Sequence, residues 1–273
     1  MSKKRTVFFV SDRTGITAET LGHSLLTQFD VALEQVTLPF VDSPERAQLA
    51  LRQIEEANQA SGERSIVFST VIDNEVRGIL RSANAVMFDF FETFIAPLEQ
   101  ELKVPSSHMV GRSHGLLDNT TYDIRIDAMN YALNHDDGVT THHYSQADVI
   151  LVGVSRSGKT PTCIYMALQY GVYAANYPLT EEDLEDGGLP KILEPYRAKL
   201  YGLTIRPDRL EHIRTERRPN SRYASPQQCQ YEVARAEAIF RRENIPFINT
   251  TTMSIEEIAT TILHERKLKR RLY

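Results

Sequence analysis

The run Gly153-Val154-Ser155-Arg156-Ser157-Gly158-Lys159-Thr160 fits the spacing G-x-x-x-x-G-K-[ST] at every fixed position. Two glycines at that separation let the backbone turn its N–H groups toward phosphate oxygens. The lysine after the second glycine supplies a point charge for the outer phosphates, and the threonine a hydroxyl for the magnesium that bridges them. Gly153 through Thr160 are therefore the expected nucleotide-binding residues, with Lys159 also catalytic and Thr160 the metal ligand. The setting suits the motif. Val149-Ile150-Leu151-Val152 before it reads as a strand buried on both faces, and a helical pattern from Thr160 to Tyr170 follows, placing the loop at the positive end of a helix. Pro161 costs that helix no needed donor. The same cradle serves ATPases, GTPases and kinases, so the loop alone does not choose among them.

Transfer to a hydroxyl also needs a carboxylate to accept its proton, and the metal a further acidic ligand. Asp89 closes Val86-Met87-Phe88 at a strand end and could be that ligand or base; its plain alternative is a helix N-cap before Phe91. Asp136-Asp137-Gly138 reads as a turn whose carboxylates could act as general base or metal ligand. The expected catalytic residues are thus Lys159, Asp137 and Asp89. Ser11-Asp12-Arg13-Thr14-Gly15 follows the first strand and could hold a second phosphate, or be an ordinary loop with Asp12 or Thr14 capping the helix. His114, between Gly111 and Gly115, could relay a proton. His142 and His143 would point to opposite faces of an extended chain, which argues against a shared metal. Arg206, Arg209, Arg214, Arg217, Arg218 and Arg222 form either a mobile lid over the loop or a solvated charged helix and turn. Glu181 to Asp186 and the basic tail Arg266 to Arg271 read as solvated faces, the tail with a possible role in docking an acidic partner.

Periodicity places the elements that must hold these residues. Strands are expected near 6–10, 35–40, 65–71, 85–89, 149–152, 171–175, 199–205 and 245–249. Helices are expected over Thr17–Phe29, Pro44–Ala60, Phe91–Leu102, Tyr122–Asn134, Thr160–Tyr170, Pro226–Glu243 and Ser254–Leu268, the second entered through Ser43-Pro44 and the last through the capping box Ser254-Ile-Glu-Glu257. The alternation means an α/β protein of mainly parallel sheets flanked by helices, with a P-loop kinase-like second half. The polar stretch 135–146 is the natural seam between an N-terminal α/β domain, 1–140, and a nucleotide-binding α/β domain, 141–273. Neither an internal repeat nor a low-complexity segment is evident.

Composition narrows the classes further. The 273 residues carry 31 Lys+Arg against 36 Asp+Glu, a formal charge of −5, with 41% hydrophobic and 25% charged residues. Disorder, a collagen-like fibre and a disulfide mini-scaffold are excluded. Net acidity argues against nucleic acid as a partner. Cys163 and Cys229 stand far apart, with no zinc-ligand spacing and no disulfide framework, which points to the cytoplasm. The apolar run Val7 to Val10 is too short for a signal peptide, and no stretch approaches the roughly 20 residues of a membrane span.

Ala147 to Thr162, followed by Tyr173-Ala-Ala-Asn-Tyr-Pro-Leu179, resembles the phosphoenolpyruvate synthase regulatory protein family, bacterial relatives of the plant pyruvate, phosphate dikinase regulatory protein. Ser11–Gly15 with Ala18-Glu19-Thr20, Tyr122–Ala128 through His135–Gly138, Gly202–Ile205 and Ser254–Ala259 extend the resemblance over nearly the whole chain. It implies a bifunctional serine/threonine kinase and phosphorylase acting on a threonine of phosphoenolpyruvate synthase. ADP would be the phosphoryl donor, with Mg2+; inorganic phosphate would be co-substrate of the reverse direction, which releases pyrophosphate. Protein-kinase landmarks such as H-R-D-x-x-x-x-N and D-F-G are absent. A P-loop kinase of a small metabolite and a nucleotide-sensing module without transfer chemistry stay open, as does assembly into a homo-oligomer.

Overall fold

The computed structural model describes residues 4–107, 119–138 and 140–272. His114 lies outside them. The chain divides into two compact units, Met1–Leu116 and Leu117–Tyr273.

The first unit carries a parallel sheet in the order β2-β1-β3-β4, from β1 (Arg5–Val10), β2 (Leu33–Leu38), β3 (Ile66–Ser69) and β4 (Val86–Asp89). Alternation along β1 builds both of its apolar layers. Phe8 and Val10 pack with Ala47 and Ile54 of α2 (Pro44–Ser61) and with Val76 and Leu80 of α3 (Asn74–Arg81). Val7 and Phe9 pack with Ala18 of α1 (Ile16–Leu26), with Phe68, and with Phe90 of α4 (Phe90–Leu102). Helix α2 starts as its sequence requires, with the Ser43 hydroxyl accepting the Arg46 N–H at 3.3 Å and Pro44 in the first turn.

The second unit repeats this plan. Its strands β5 (Val149–Gly153), β6 (Ala174–Pro178), β7 (Leu200–Thr204) and β8 (Phe247–Asn249) are parallel in the order β6-β5-β7-β8. Around them lie α5 (Asn119–Asn134), α6 (Lys159–Tyr170), the short α7 (Glu181–Asp186), α8 (Pro207–Arg217), α9 (Pro226–Arg242) and α10 (Ile255–Glu265). In each unit the first strand lies between the second and the third, so its carboxyl end opens at the point where the connections reverse direction. That is where open parallel sheets place ligands. Each of these strands also leads through a glycine in the left-handed region, Gly15 (φ 82°) or Gly158 (φ 93°), into a helix without a side-chain cap. The repetition is topological, with no matching repeat in the residues.

The boundary between units falls at 116/117, ahead of the seam at 140/141 that polarity suggests. Helix α5 explains the difference: its Ala128 and Ala132 are buried against Cys163, Met166 and Ala167 of α6, so 119–134 belongs to the second core. The basic tail is also tied down. Arg271 makes a two-pronged ion pair with Asp148, at 2.7 and 3.0 Å, and Leu272 is buried beyond it. Among the described residues no helix is long and apolar enough to cross a membrane.

Gly153 is held by packing. A Cβ there would stand 2.3 Å from the Leu203 carbonyl oxygen of β7 and 2.9 Å from the Ser157 hydroxyl. The Gly153→Ala protein must push β5 from β7, and we expect it to lose about 1–3 kcal/mol of stability or more, read as a lower urea midpoint.

Candidate functional site

Gly158 is the opposite case. Nothing lies within 4 Å of where its Cβ would be, so its φ of 93° alone demands glycine, and the space beside it is open. That space is a cavity of about 660 Å³ lined by Asp136, Asp137, Ser155, Arg156, Gly158, Lys159, Thr160, Pro161, Arg217, Arg218 and Tyr223. Arg156 sits in the loop at φ 75°, a conformation that costs a non-glycine residue energy and tends to cluster at functional sites. The loop is braced from beneath, where the Thr250 hydroxyl donates to the Ser157 carbonyl at 3.1 Å.

Lys159 is 4% exposed, and its ammonium donates to the Val154 carbonyl at 2.9 Å within the loop it serves. Burial pushes its pKa down to about 8, opposed by the negative charges of Asp137 and Asp136. A cation desolvated this way has unmet demand for an anion.

The two aspartates, adjacent in sequence, are held differently. Both follow the end of α5, where Asp137 (φ 51°) and Gly138 (φ 69°) take left-handed conformations in succession. Asn176 of β6, fully buried, organises them: its side-chain oxygen accepts the Asp137 N–H at 3.0 Å and its amide donates to Asp136 Oδ1. The same Asp136 oxygen accepts the Thr160 hydroxyl at 2.8 Å. Asp136 is thus committed to the threonine of the loop. Asp137 has no side-chain hydrogen bond among the described residues, and its carboxylate faces the cavity. Thr160 with Asp136 is an all-oxygen pair of the kind that suits magnesium. Among the described residues no three His, Cys, Asp or Glu side chains gather as an all-protein metal cage.

His135, next to Asp136, fixes the turn from below. Its Nδ1 lies 2.7 Å from the Tyr131 carbonyl, and its ring stacks on that of Tyr131 with centroids 4.1 Å apart. Tyr144 donates to the Asn176 carbonyl at 2.9 Å, locking β6 to the same cluster. Burial drives the Tyr131, Tyr144 and Cys163 pKa values upward, so these groups stay protonated.

Whereas the loop 153–160 follows a strand of the second unit's sheet, Asp89 stands on the first unit's sheet. There it caps α4, Oδ1 accepting the Glu92 N–H at 3.0 Å, and pairs with Arg77 Nε at 2.8 Å. The carboxylate is engaged as a structural cap. In the loop 11–15, Asp12 does not cap α1. It is buried and accepts the Ile72 N–H at 3.1 Å, tying β1 to the chain after β3, and burial raises its pKa.

Five of the six arginines of 206–222 divide into separate tasks. Arg206 pairs with Asp208, Arg222 with Glu181 at 2.6 Å, and Arg217 and Arg218 line the cavity. Arg214, fully buried, donates to the Ser155 carbonyl at 3.1 Å, to Glu232 at 2.6 Å and to the Tyr223 carbonyl at 3.0 Å. Such a bridge makes α8 a fixed wall of the site. Replacing Arg214 by methionine leaves Glu232 unpaired at 12% side-chain exposure, and we expect a loss of about 3–5 kcal/mol on urea unfolding, partly recovered when Glu232→Leu is added.

Sequence reasoning passed over Asn176 and Tyr223. Asn176 lies in the resemblance segment but bears no charge and no motif spacing. Tyr223, whose hydroxyl is 2.9 Å from that of Ser155, is an isolated aromatic among charges.

The kinase/pyrophosphorylase family profile matches residues 7–263. A protein of Alkalilimnicola ehrlichii, provisionally named phosphoenolpyruvate synthase regulatory protein, is 69% identical over 270 residues, covering 99% of this chain and 98% of its own. A protein of Halorhodospira halophila with the same name is 66% identical over 273 residues, covering 100% of both chains. One of Pseudomonas aeruginosa, again so named, is 55% identical over 272 residues, covering 99% of both. With a match that runs through both sheets and the loop 153–160, the chain belongs to the kinase/pyrophosphorylase family.

Proposed function

We propose that the chain is a bifunctional ADP-dependent serine/threonine kinase and phosphate-dependent phosphorylase that inactivates and reactivates phosphoenolpyruvate synthase at a threonine. Its family and its relatives' names support the target and the class of chemistry. The observation that carries the reading is the Asp137 carboxylate, free of side-chain partners among the described residues, in one cavity with the buried ammonium of Lys159. An uncommitted carboxylate beside the phosphates suits a transferase, which needs a proton acceptor for the entering hydroxyl.

In the kinase direction the 153–160 backbone and Lys159 hold the two phosphates of ADP, the ammonium exchanging the Val154 carbonyl for a phosphate oxygen. Thr160 and Asp136 would hold magnesium, which when bound offsets the negative charge of the phosphate oxygens. Asp137 accepts the proton of the entering threonine hydroxyl, the phosphoryl group passes to that oxygen, and AMP is left. In reverse, inorganic phosphate in the cradle takes the phosphoryl group, and the proton returns to the threonine oxygen through Asp137.

The test is incubation with magnesium and phosphoenolpyruvate synthase, using β-labelled ADP and, in parallel, γ-labelled ATP. Acid-stable phosphothreonine labelled from ADP, and removed by phosphate as pyrophosphate, is the expected result. Nucleotide consumption without any protein substrate would favour a metabolite kinase. Nucleotide binding with no turnover would favour a sensing module.

A further inference from the structure

The cavity over the phosphate loop has a basic wall that the steps above leave unused. Arg214 aims at the loop from α8 through its contact with the Ser155 carbonyl. Arg217, three residues farther along, shares that helix face, Arg218 follows it at the C-cap where the helix ends, and both line the cavity. Neither guanidinium makes a hydrogen bond or ion pair among the described residues, whereas Arg206, Arg214 and Arg222 each have an acidic partner. Their position is set in advance, because the segment touches Ser155 twice: Arg214 binds its carbonyl and Tyr223 its hydroxyl.

Charge shows what this wall lacks. Four cationic side chains, Arg156, Lys159, Arg217 and Arg218, face two carboxylates. Lys159 and the loop amides suffice for one polyphosphate. Two further guanidinium forks, suited to paired phosphate oxygens, call for another anion. A cavity of about 660 Å³ has room for both.

We propose that Arg217 and Arg218 form a second phosphate subsite, separate from the phosphate loop, that binds the dianionic phosphoryl group of the second substrate. The identity of that substrate as a phosphorylated hydroxyl rests on the function proposed above; the subsite itself does not. In phosphorolysis the subsite holds the phosphoryl group while its bond to the hydroxyl oxygen breaks and a bond to the entering phosphate forms. The hydrogen of that phosphate ends on the hydroxyl oxygen, so atoms and charge balance with no further reactant.

Calorimetric titration of the full chain, saturated with magnesium and AMP, tests this with two probes: a short phosphothreonine peptide and inorganic phosphate. We expect the peptide to bind, and the double variant Arg217→Ala/Arg218→Ala to weaken it about tenfold or more while AMP affinity changes less than about twofold. The lysine pair should recover part of the loss, since it restores charge without the fork. Both side chains are exposed, so the variants should melt like the parent protein. If only inorganic phosphate binds and the alanine pair abolishes it, the subsite stands and its source is the free ion. Parallel losses of AMP and peptide would make the arginines plain nucleotide contacts and overturn the proposal, as would unchanged binding of both probes. Intact co-binding with no transfer to phosphoenolpyruvate synthase would sink the kinase reading and leave the subsite. Intact transfer without co-binding would do the reverse.

Discussion

Replacing Lys159 by methionine should lower phosphoryl transfer by about 10²–10³-fold with no loss of stability. The two halves of that expectation share one cause. Lys159 is buried as a cation with a single carbonyl partner, so a neutral side chain of similar length removes a desolvation cost from the fold. It also removes the buried charge that the proposed mechanism assigns to the outer phosphates. The same burial sets a pH dependence. With its pKa near 8 in the free protein, against an ordinary 10.5, the lysine loses its proton as pH rises through 8, and diphosphate affinity should fall across that range. Stability moves the other way. Between 8 and 10.5 the unfolded chain binds more protons at this position than the folded one, so this group's contribution to folding rises with pH. Weaker binding above pH 8 in a protein that melts no earlier would separate deprotonation from unfolding. In the methionine variant the affinity should be flat over the same interval. A steep decline there would assign the titration to another group.

What the residues disclosed and what they hid follow a physical division. The loop 153–160 stood out because its conformation demands particular residues: Gly153 cannot carry a Cβ against Leu203, and Gly158 must take a φ of 93°. Strands such as Val149–Gly153 were legible because burial on both faces leaves an unbroken apolar run. Helix α8 was not. Of its residues only Leu210 and Arg214 are buried, and an arginine used as a core strut erases the apolar period by which a helix is recognised. The polar seam and the boundary between the units differ over α5, which is polar on most of its surface and joins the second unit's core through Ala128, Tyr131 and Ala132. Asp89 shows a different limit. A carboxylate at a strand end looks the same in sequence whether it meets a metal or caps a helix, and here it caps α4. Asn176 was invisible as a functional residue because its task is relational: it sorts two neighbouring aspartates into one committed and one free carboxylate.

That sorting makes the second prediction specific. Asp137→Asn should lower the rate of transfer to the hydroxyl by about 10²–10⁴-fold, the range for loss of a positioned general base, with ADP affinity little changed. The amide is isosteric, and the Asp137 main-chain N–H bond to Asn176 does not depend on the side chain, so the turn should keep its shape. Asp136→Asn should fail in another way. Asp136 Oδ1 accepts from both Thr160 and Asn176, and an amide at that position weakens the oxygen pair that would hold magnesium. Its loss should appear as a raised magnesium requirement, partly overcome by excess metal, while the Asp137 variant gains nothing from added metal. Asn176→Ala should show both defects, since it releases Asp136 and the Asp137 backbone together. If Asp137→Asn keeps full transfer while remaining folded, the proton must go elsewhere, and the free carboxylate is electrostatic in purpose, helping to keep the buried Lys159 charged.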